Sequence, residues 1–375
     1  MPMLKVLHVN TERTWRGGEQ QTAYLMEGLR QRGHSNLLIA KEGSVMAERA
    51  AADGFEVLAM RMRGEVDLSV PWRIKRLVRD RGIDILHAHT SHGHVYIQLA
   101  GALLGSARPP VIVHRRVDFS IFRRSFFRLN RTKYLYGVDR YITVSHAIRR
   151  VLIADGIPED RITTVHSGID MERIQGAPER RPELRAELGV GDDETLIANV
   201  AHCADHKGQT YLVQAAPKVL AQHPKARFVI VGDGELRDAL MAEAESLGVA
   251  ERFIFPGFRE DVPALLKAFD IFVMPSHMEG LGTSVLDALC AQLPTVGTEA
   301  GGMPEMFEQG QNGLVCPIRD PEAISAAICR FLDDPAAARL MGKRGHETVA
   351  KGFSRDAMVE GNIAVYKAEL ARRGV

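Results

Sequence analysis

Cysteine is scarce in this 375-residue chain, and its four copies, Cys203, Cys290, Cys316 and Cys329, form no CxxC pair. That spacing excludes a zinc knuckle and a disulfide framework, and it fits a reducing compartment. An excess of one charge is missing as well, since 48 Lys and Arg stand against 47 Asp and Glu, for a net charge of +1. Nucleic acid is therefore not an expected partner, and electrostatic recognition must come from a local patch. Long apolar runs are also absent. Stretches such as VYIQLAGALLG fall well short of the roughly 20 residues a membrane-spanning helix needs. The N-terminus MPMLKVLHVNTERTWRGGEQ lacks the longer apolar core and cleavage site of a secretory leader. The expectation is a cytoplasmic chain that does not cross a membrane, without biased tracts or solenoid repeats.

What the chain has is alternation. Short apolar runs, LKVLHV, NLLIA, DILHAH, PVIVHR and RYITVS, are separated by longer segments of helical period such as EQQTAYLMEGLRQRG. This is the pattern of βαβ units with a parallel sheet covered on both faces. The polar, proline-bearing stretch IDMERIQGAPERRPELRAELGVGDD interrupts it, and a second series follows with TLIANVA, RFVIVG, RFIFPG, DIFVMP and PTVG. The fold expectation is α/β: a Rossmann-like domain over 1–170, a second over 171–357, and a cleft between them. Met358, Ile363, Val365 and Leu370 predict a last helix over 358–375.

Ligands of open parallel sheets lie beyond the carboxyl ends of the strands, so the loops there carry the search. In NTERTWRGGEQQ, Gly17 and Gly18 precede a helix and leave its amides open to an anion, although a flexible turn with Glu19 in the first helical turn accounts for them equally. VGDGEL lacks the third glycine of a dinucleotide fingerprint and reads as a tight turn. In HCADHKGQ, Lys207 before Gly208 offers a mobile point charge to a phosphate. His202, Asp205 and His206 are irregularly spaced and read as solvated polar residues ahead of metal ligands.

The stretch EGLGTSVLDALC follows an apolar run and is the most informative. Gly280 and Gly282 permit close backbone approach, and the amides of Thr283 and Ser284 open a helix on which a phosphate can rest. Glu279 has no evident packing duty and suits hydroxyl binding. Asp287, eight positions later, also reads as the capping-box partner of Ser284. Finally, RRVDFSIFRRSFFRLNRTKYLYG runs from Arg115 through Lys133. On a helix, Arg124, Arg128 and Arg131 share one face and Phe122, Phe126 and Leu129 another. That suits an anionic membrane surface or a phosphorylated lipid acceptor, or else an ordinary helix docked on the sheet by its phenylalanines.

RGGEQQ, YITVSHAIRR with Ser145, VHSGID, DHKGQTYLVQAAP, FVIVGDGEL, FPGFREDVPALLKAFDIFVMPSHMEGLGTSVLDALC and AGGMPE occur in that order. Together they resemble the family-four retaining glycosyltransferases of the GT-B fold over essentially the whole chain. The resemblance implies transfer of a hexose-type sugar from a nucleotide-diphosphate donor, with UDP sugars the first expectation. The acceptor it implies is a hydroxyl of a cell-envelope glycan or lipid-linked molecule, as in lipopolysaccharide synthesis. The donor is expected mainly on the second domain and the acceptor mainly on the first, with the final helix crossing back to the first.

By the same resemblance, Glu279 meets the donor sugar and Lys207 the diphosphate as the catalytic pair, while Asp287 meets the ribose. Gly17, Gly18, His202, Arg259, Gly280, Leu281, Gly282, Thr283 and Ser284 join the donor side, and Arg116, Asp118 and His89 the acceptor side. No metal and no cofactor beyond the nucleotide-sugar co-substrate is implied, and the Arg115 to Lys133 segment is the expected contact with the inner face of the plasma membrane. Three positions depart from the family pattern. Asp287 replaces the commoner glutamate, His202 stands where many members have a diphosphate-binding arginine, and Arg116 stands near a usual histidine. A GT-B nucleotide-sugar epimerase, a sugar phosphorylase and a two-lobed sugar-binding protein are the rivals, and the EGLGTSVLD and HKGQ contexts favour the transferase.

Overall fold

The short apolar runs become strands because, in the computed structural model, each is walled by helices on both sides. The structure describes residues 3–64, 67–122 and 130–374. The first sheet comprises β1 (Lys5–Asn10), β2 (Ser35–Lys41), β3 (Glu56–Met60), β4 (Ile85–Ala88), β5 (Val111–Arg115), β6 (Arg140–Thr143) and β7 (Ile162–Thr164), in the order β3-β2-β1-β4-β5-β6-β7. The second comprises β8 (Thr195–Val200), β9 (Ala226–Val231), β10 (Phe253–Gly257), β11 (Ile271–Val273), β12 (Thr295–Thr298) and β13 (Leu314–Cys316), in the order β10-β9-β8-β11-β12-β13. All pairings are parallel. Each sheet is thus a doubly wound Rossmann-like sheet whose strand order reverses beside its first strand.

Two compact units result, residues 1–168 with 355–375, and residues 169–354. In the first, the period-two alternation of the strands sorts side chains between two layers. Leu7, Val9, Leu86, Ala88, Val111 and Val113 pack with helices Ser69–Arg81 and Ser91–Leu104. Val6, Ile85, Ile112 and Ile142 pack with helices Gly17–Gln31 and Arg355–Ala371. The last helix therefore belongs to the first unit. It lies so close to helix Gly17–Gln31 that a Cβ at Gly28 would sit 2.4 Å from Val359 Cγ2. A buried ion pair also holds it, Arg140 Nε donating to Glu369 Oε1 at 2.7 Å. Removing either partner would strand a buried charge, a loss of roughly 3–5 kcal/mol.

The second unit closes on its own core. Ile197, Phe228, Ile230, Val273 and Val296 of the strands meet Leu212, Val213, Ile324 and Ile328 of the flanking helices. Among the described residues no helix is long and apolar enough to cross a membrane. The expected helical face of the basic-aromatic stretch is not what the described part forms. Arg115 ends β5, residues 116–122 are loop and turn, and helix Asn130–Leu135 follows. Arg124, Phe126, Arg128 and Leu129 lie outside the described residues, as does the side chain of Arg131. Arg115 itself is turned inward, donating to Phe119 O at 2.6 Å and Tyr134 Oη at 3.2 Å, and Phe122 packs against the core.

One polar feature runs through the first sheet. His8, His87 and His114 occupy the layer that faces helix Arg355–Ala371, and all are buried. Burial holds His8 neutral, with its pKa pushed down to about 4, and drives His87 and His114 well below the ordinary histidine value. An unfolded histidine takes its proton near pH 6.5, so these groups favour the fold fully above that pH, and the contribution is lost as pH falls toward 4. Both tryptophans, Trp15 and Trp72, lie in the first unit, so their fluorescence reports on it. We expect its thermal midpoint to fall on acidification from pH 7 to pH 5, and His8→Gln to flatten that slope. A midpoint independent of pH in both proteins would contradict the assignment.

Candidate functional site

In the second sheet the order reverses between β8 and β11, both neighbours of one another at the place where ligands of such sheets bind. The loops leaving these two strands, 201–208 and 274–282, are joined through backbone. His277 N and Met278 N donate to His206 O at 3.1 and 3.3 Å. Gly208 takes the left-handed conformation, φ +65°, and a Cβ there would lie 2.2 Å from Pro275 O. Glycine follows the lysine because any side chain would push the loops apart.

That approach brings Lys207 Nζ to 2.6 Å from Glu279 Oε2, with the side chains only 20% and 12% exposed. Ser276 Oγ donates to the same carboxylate oxygen at 3.4 Å. The end of β12 joins in, since Thr298 Oγ1 donates to Ser276 O, and Gly302 N donates to Glu279 O at 3.3 Å. One expectation changes: Glu279 does have a structural duty, as counter-ion to Lys207. Each neutralises the other in a partly dry setting; a phosphate competing for Lys207 would free the carboxylate for hydroxyl groups.

Helix Thr283–Cys290 starts from Gly282, whose φ is +96° and which provides no side-chain cap. The amides of Thr283 and Ser284 consequently have no intrahelical acceptor. The capping-box expectation for Ser284 and Asp287 fails here. Gly282 takes the cap position from the left-handed region, which places Ser284 already within the first turn. Asp287 instead lies 3.7 Å from Arg173 Nη2, and burial pushes its carboxyl up to about 6 against the pull of Arg173.

The remaining donor-side residues scatter. Gly280 is half-buried beside Glu279, but the side chain of Leu281 is in the core, leaving only its backbone for a ligand. His202 Nε2 faces Glu235 Oε2 at 3.3 Å. Arg259 pairs with Asp261, at 2.8 and 2.7 Å, and with Glu187, both outside the Glu279 loop. The GDG turn has a sharper cause than tightness alone, since a Cβ at Gly234 would lie 2.4 Å from Cys203 O. Ser276, His277 and the carbonyl of His206 escaped the sequence reading, and backbone roles leave no signature in residue type.

The first sheet reverses between β1 and β4. After β1, Glu19 closes the start of helix Gly17–Gln31 by accepting from Arg16 N and Asn10 Nδ2, each at 3.1 Å. The stem of Arg116 covers Gly18, its Cδ lying 3.6 Å from where a Cβ would be. Arg116 Nη1 donates to His89 O at 3.1 Å, and Nη2 lies 3.3 Å from His89 Nδ1. Because arginine only donates, His89 Nδ1 accepts and the ring proton belongs on Nε2, 2.9 Å from His8 Nδ1. His8 then donates from Nε2 to Asn36 Oδ1 at 3.0 Å.

Burial draws the Arg116 pKa down to about 10 against the pull of Glu19, so it remains a cation at neutral pH. Asp118 is half-buried in the loop that follows. His8, His87 and His89 are close enough together to suggest metal ligands. Their nitrogens are already engaged: His8 with His89 and Asn36, His89 with His8 and Arg116, and His87 with His114 Nδ1 at 3.2 Å and with Tyr366, whose Oη is 2.7 Å from His87 Nδ1.

Gly208→Ala combines a strained φ with a backbone clash, so we expect a loss of about 1–3 kcal/mol or more from the second unit. Denaturant titration measures it, and a wild-type midpoint would overturn the close-approach account.

Known families and solved structures bear directly on this arrangement. The model described as Glycosyltransferase Family 4 matches residues 15–173, and the one described as Glycosyl transferases group 1 matches residues 180–348. An uncharacterized glycosyltransferase of Methanocaldococcus jannaschii is 31% identical over 244 residues, covering 64% of this chain and 62% of that protein, so the match spans less than two thirds of the relative. A GDP-mannose-dependent alpha-(1-6)-phosphatidylinositol monomannoside mannosyltransferase of Mycolicibacterium smegmatis is 28% identical, covering 88% and 89%. Among solved structures, Anabaena HepE in complex with UDP superposes with a TM-score of 0.85 at 19% identity, covering 97% of this chain and 100% of that one. With both halves matched in sequence and the two Rossmann-like sheets of the GT-B fold in place, the chain belongs to the group 1 glycosyltransferases, its first half of the family 4 type.

Proposed function

We propose that the chain transfers a hexose, with retention of anomeric configuration, from a UDP sugar to a hydroxyl of a cell-envelope glycan or lipid-linked acceptor. The observation that carries this reading is the Lys207–Glu279 pair at the reversal point of the second sheet, beside the open amides of Thr283 and Ser284. UDP in the Anabaena structure and the phosphatidylinositol-type acceptor named for the mycobacterial relative support the choice of donor and acceptor classes.

In this mechanism the donor diphosphate takes Lys207 and the helix amides, which stabilise the negative charge that grows as the anomeric carbon–oxygen bond breaks. Glu279, released from Lys207, holds hydroxyls of the sugar. The acceptor oxygen bonds to the anomeric carbon on the face the diphosphate leaves, and the acceptor proton passes to the departing phosphate oxygen. With a histidine at position 202, neutralising the diphosphate falls mainly on Lys207. Arg116, a buried cation in the first domain, suits an acceptor that carries a phosphate.

Labelled nucleotide sugars with and without acceptor test this directly. Transfer is expected, whereas isomerisation alone would mark an epimerase, phosphate-dependent cleavage a phosphorylase, and binding alone a sugar-binding protein. Glu279→Gln should lower kcat by roughly 10²–10³-fold, the scale of removing one preorganised group, and Lys207→Met should impair kcat and donor KM together. Full activity in both would sink the site assignment.

Asp287 adds a pH test. Ribose hydroxyls need it ionised, so donor affinity should rise with pH through about 6 and fall about tenfold from pH 7 to pH 5. The Asp287→Asn variant should bind more weakly and lose that dependence. A thermal-shift comparison of UDP, GDP and ADP sugars identifies the base.

A further inference from the structure

Asp287 lies one turn into helix Thr283–Cys290 with its side chain only 19% exposed, and burial pushes its carboxyl up to about 6. Ribose hydroxyls call for the charged form, in which both oxygens accept hydrogen bonds. The cation beside it is Arg173, whose Nη2 stands 3.7 Å from Asp287 Oδ2. That is too long for a hydrogen bond, and the Arg173 guanidinium makes none among the described residues. What it supplies is charge. Its stem is fixed by the backbone, on the short helix Met171–Gln175 that packs on helices Thr283–Cys290 and Val262–Ala268 and buries Ile174. Asp170 caps this helix by accepting from Arg173 N at 3.2 Å, and Lys267 Nζ closes its far end by donating to Gln175 O at 3.0 Å and Ala177 O at 2.5 Å.

The other titratable groups around Asp287 are few. Asp170 opposes Arg173, because its negative charge raises the Asp287 carboxyl. Cys290 on the same helix stays a neutral thiol, pushed up to about 12 by burial. Lys267 is engaged by the two carbonyls, and His346 of helix Pro335–Gly352 turns to Cys290 O at 2.7 Å and Gln175 Nε2 at 3.4 Å. We propose that Arg173 is a positioning residue for the donor, the cation that lets the largely buried Asp287 carboxylate stand charged and ready for the ribose hydroxyls. This rests on the ribose reading of Asp287 and adds the group on which that reading depends near neutral pH.

Carbon-13 labelling of aspartate, with Asp287→Asn for assignment, follows the Asp287 carboxyl by NMR in the free protein, so this readout holds whichever nucleotide sugar binds. Its midpoint is expected near pH 6 in the wild type and about one unit higher in Arg173→Gln, the low end for an opposite charge at this range because Arg173 is 45% exposed. Arg173→Lys should restore the wild-type midpoint, since charge alone is at work, and Asp170→Asn, which still caps the helix, should lower it. Affinity for UDP-glucose should follow the ionised fraction. Arg173→Gln then binds about fivefold more weakly than wild type at pH 6, about twofold at pH 7, and equally at pH 9. Thermal melting at pH 9 would confirm that the variants remain folded. An unmoved midpoint in folded Arg173→Gln, or no restoration by lysine, would overturn the proposal while leaving the ribose reading intact. Wild-type affinity for UDP-glucose in Asp287→Asn would instead overturn the ribose reading, and the donor role of Arg173 with it.

Discussion

The Lys207–Glu279 pair depends on how closely two backbone segments approach beyond β8 and β11. Gly208 passes Pro275 O at a distance no side chain tolerates, and His206 O accepts amides from the opposite loop. Only then can a lysine from one loop reach a glutamate from the other at 2.6 Å. The ion pair is a consequence of backbone packing, and its partly dry setting makes each charge dependent on the other until a ligand replaces one of them. The same closeness fixes the neighbouring GDG turn, whose second glycine presses on Cys203 O.

The two sheets solve the same geometric problem with different chemistry. Each reverses its strand order beside its first strand, and each gathers its polar residues in the loops at that point. In the second sheet the result is a charge pair with open helix amides. In the first it is Arg116 and His89 beyond the strands, backed by neutral histidines within them, and Arg116, which can only donate, dictates the tautomers of His89 and His8. These hydrogen bonds tie the position of Arg116 to the interior of the domain, with Glu19 the carboxylate that acts on its charge.

The expectations that failed share a physical cause. Ser284 and Asp287 have capping-box spacing, but the glycine two residues before Ser284 enters the helix first, and spacing alone cannot report a left-handed φ. Arg115 counted toward a basic surface, but its place at the end of β5 turns it toward Tyr134 and Phe119 O. The buried histidines were the legible omission. LHVN, DILHAH and VIVHR each put a histidine in the same alternation phase of a strand, and strand pairing alone would have gathered them.

The sequence by itself determined the α/β class, the two series of strands and the glycine-bearing loops at their carboxyl ends, because these follow from local periodicity and from residues whose backbone needs are local. It also named Lys207 and Glu279. Tertiary structure alone decided that these two meet, that Asp287 faces Arg173, and that Arg116 is held by His89. Such facts depend on which strands become neighbours and how near their loops pass, and residues 72 positions apart carry no record of that distance in their identities.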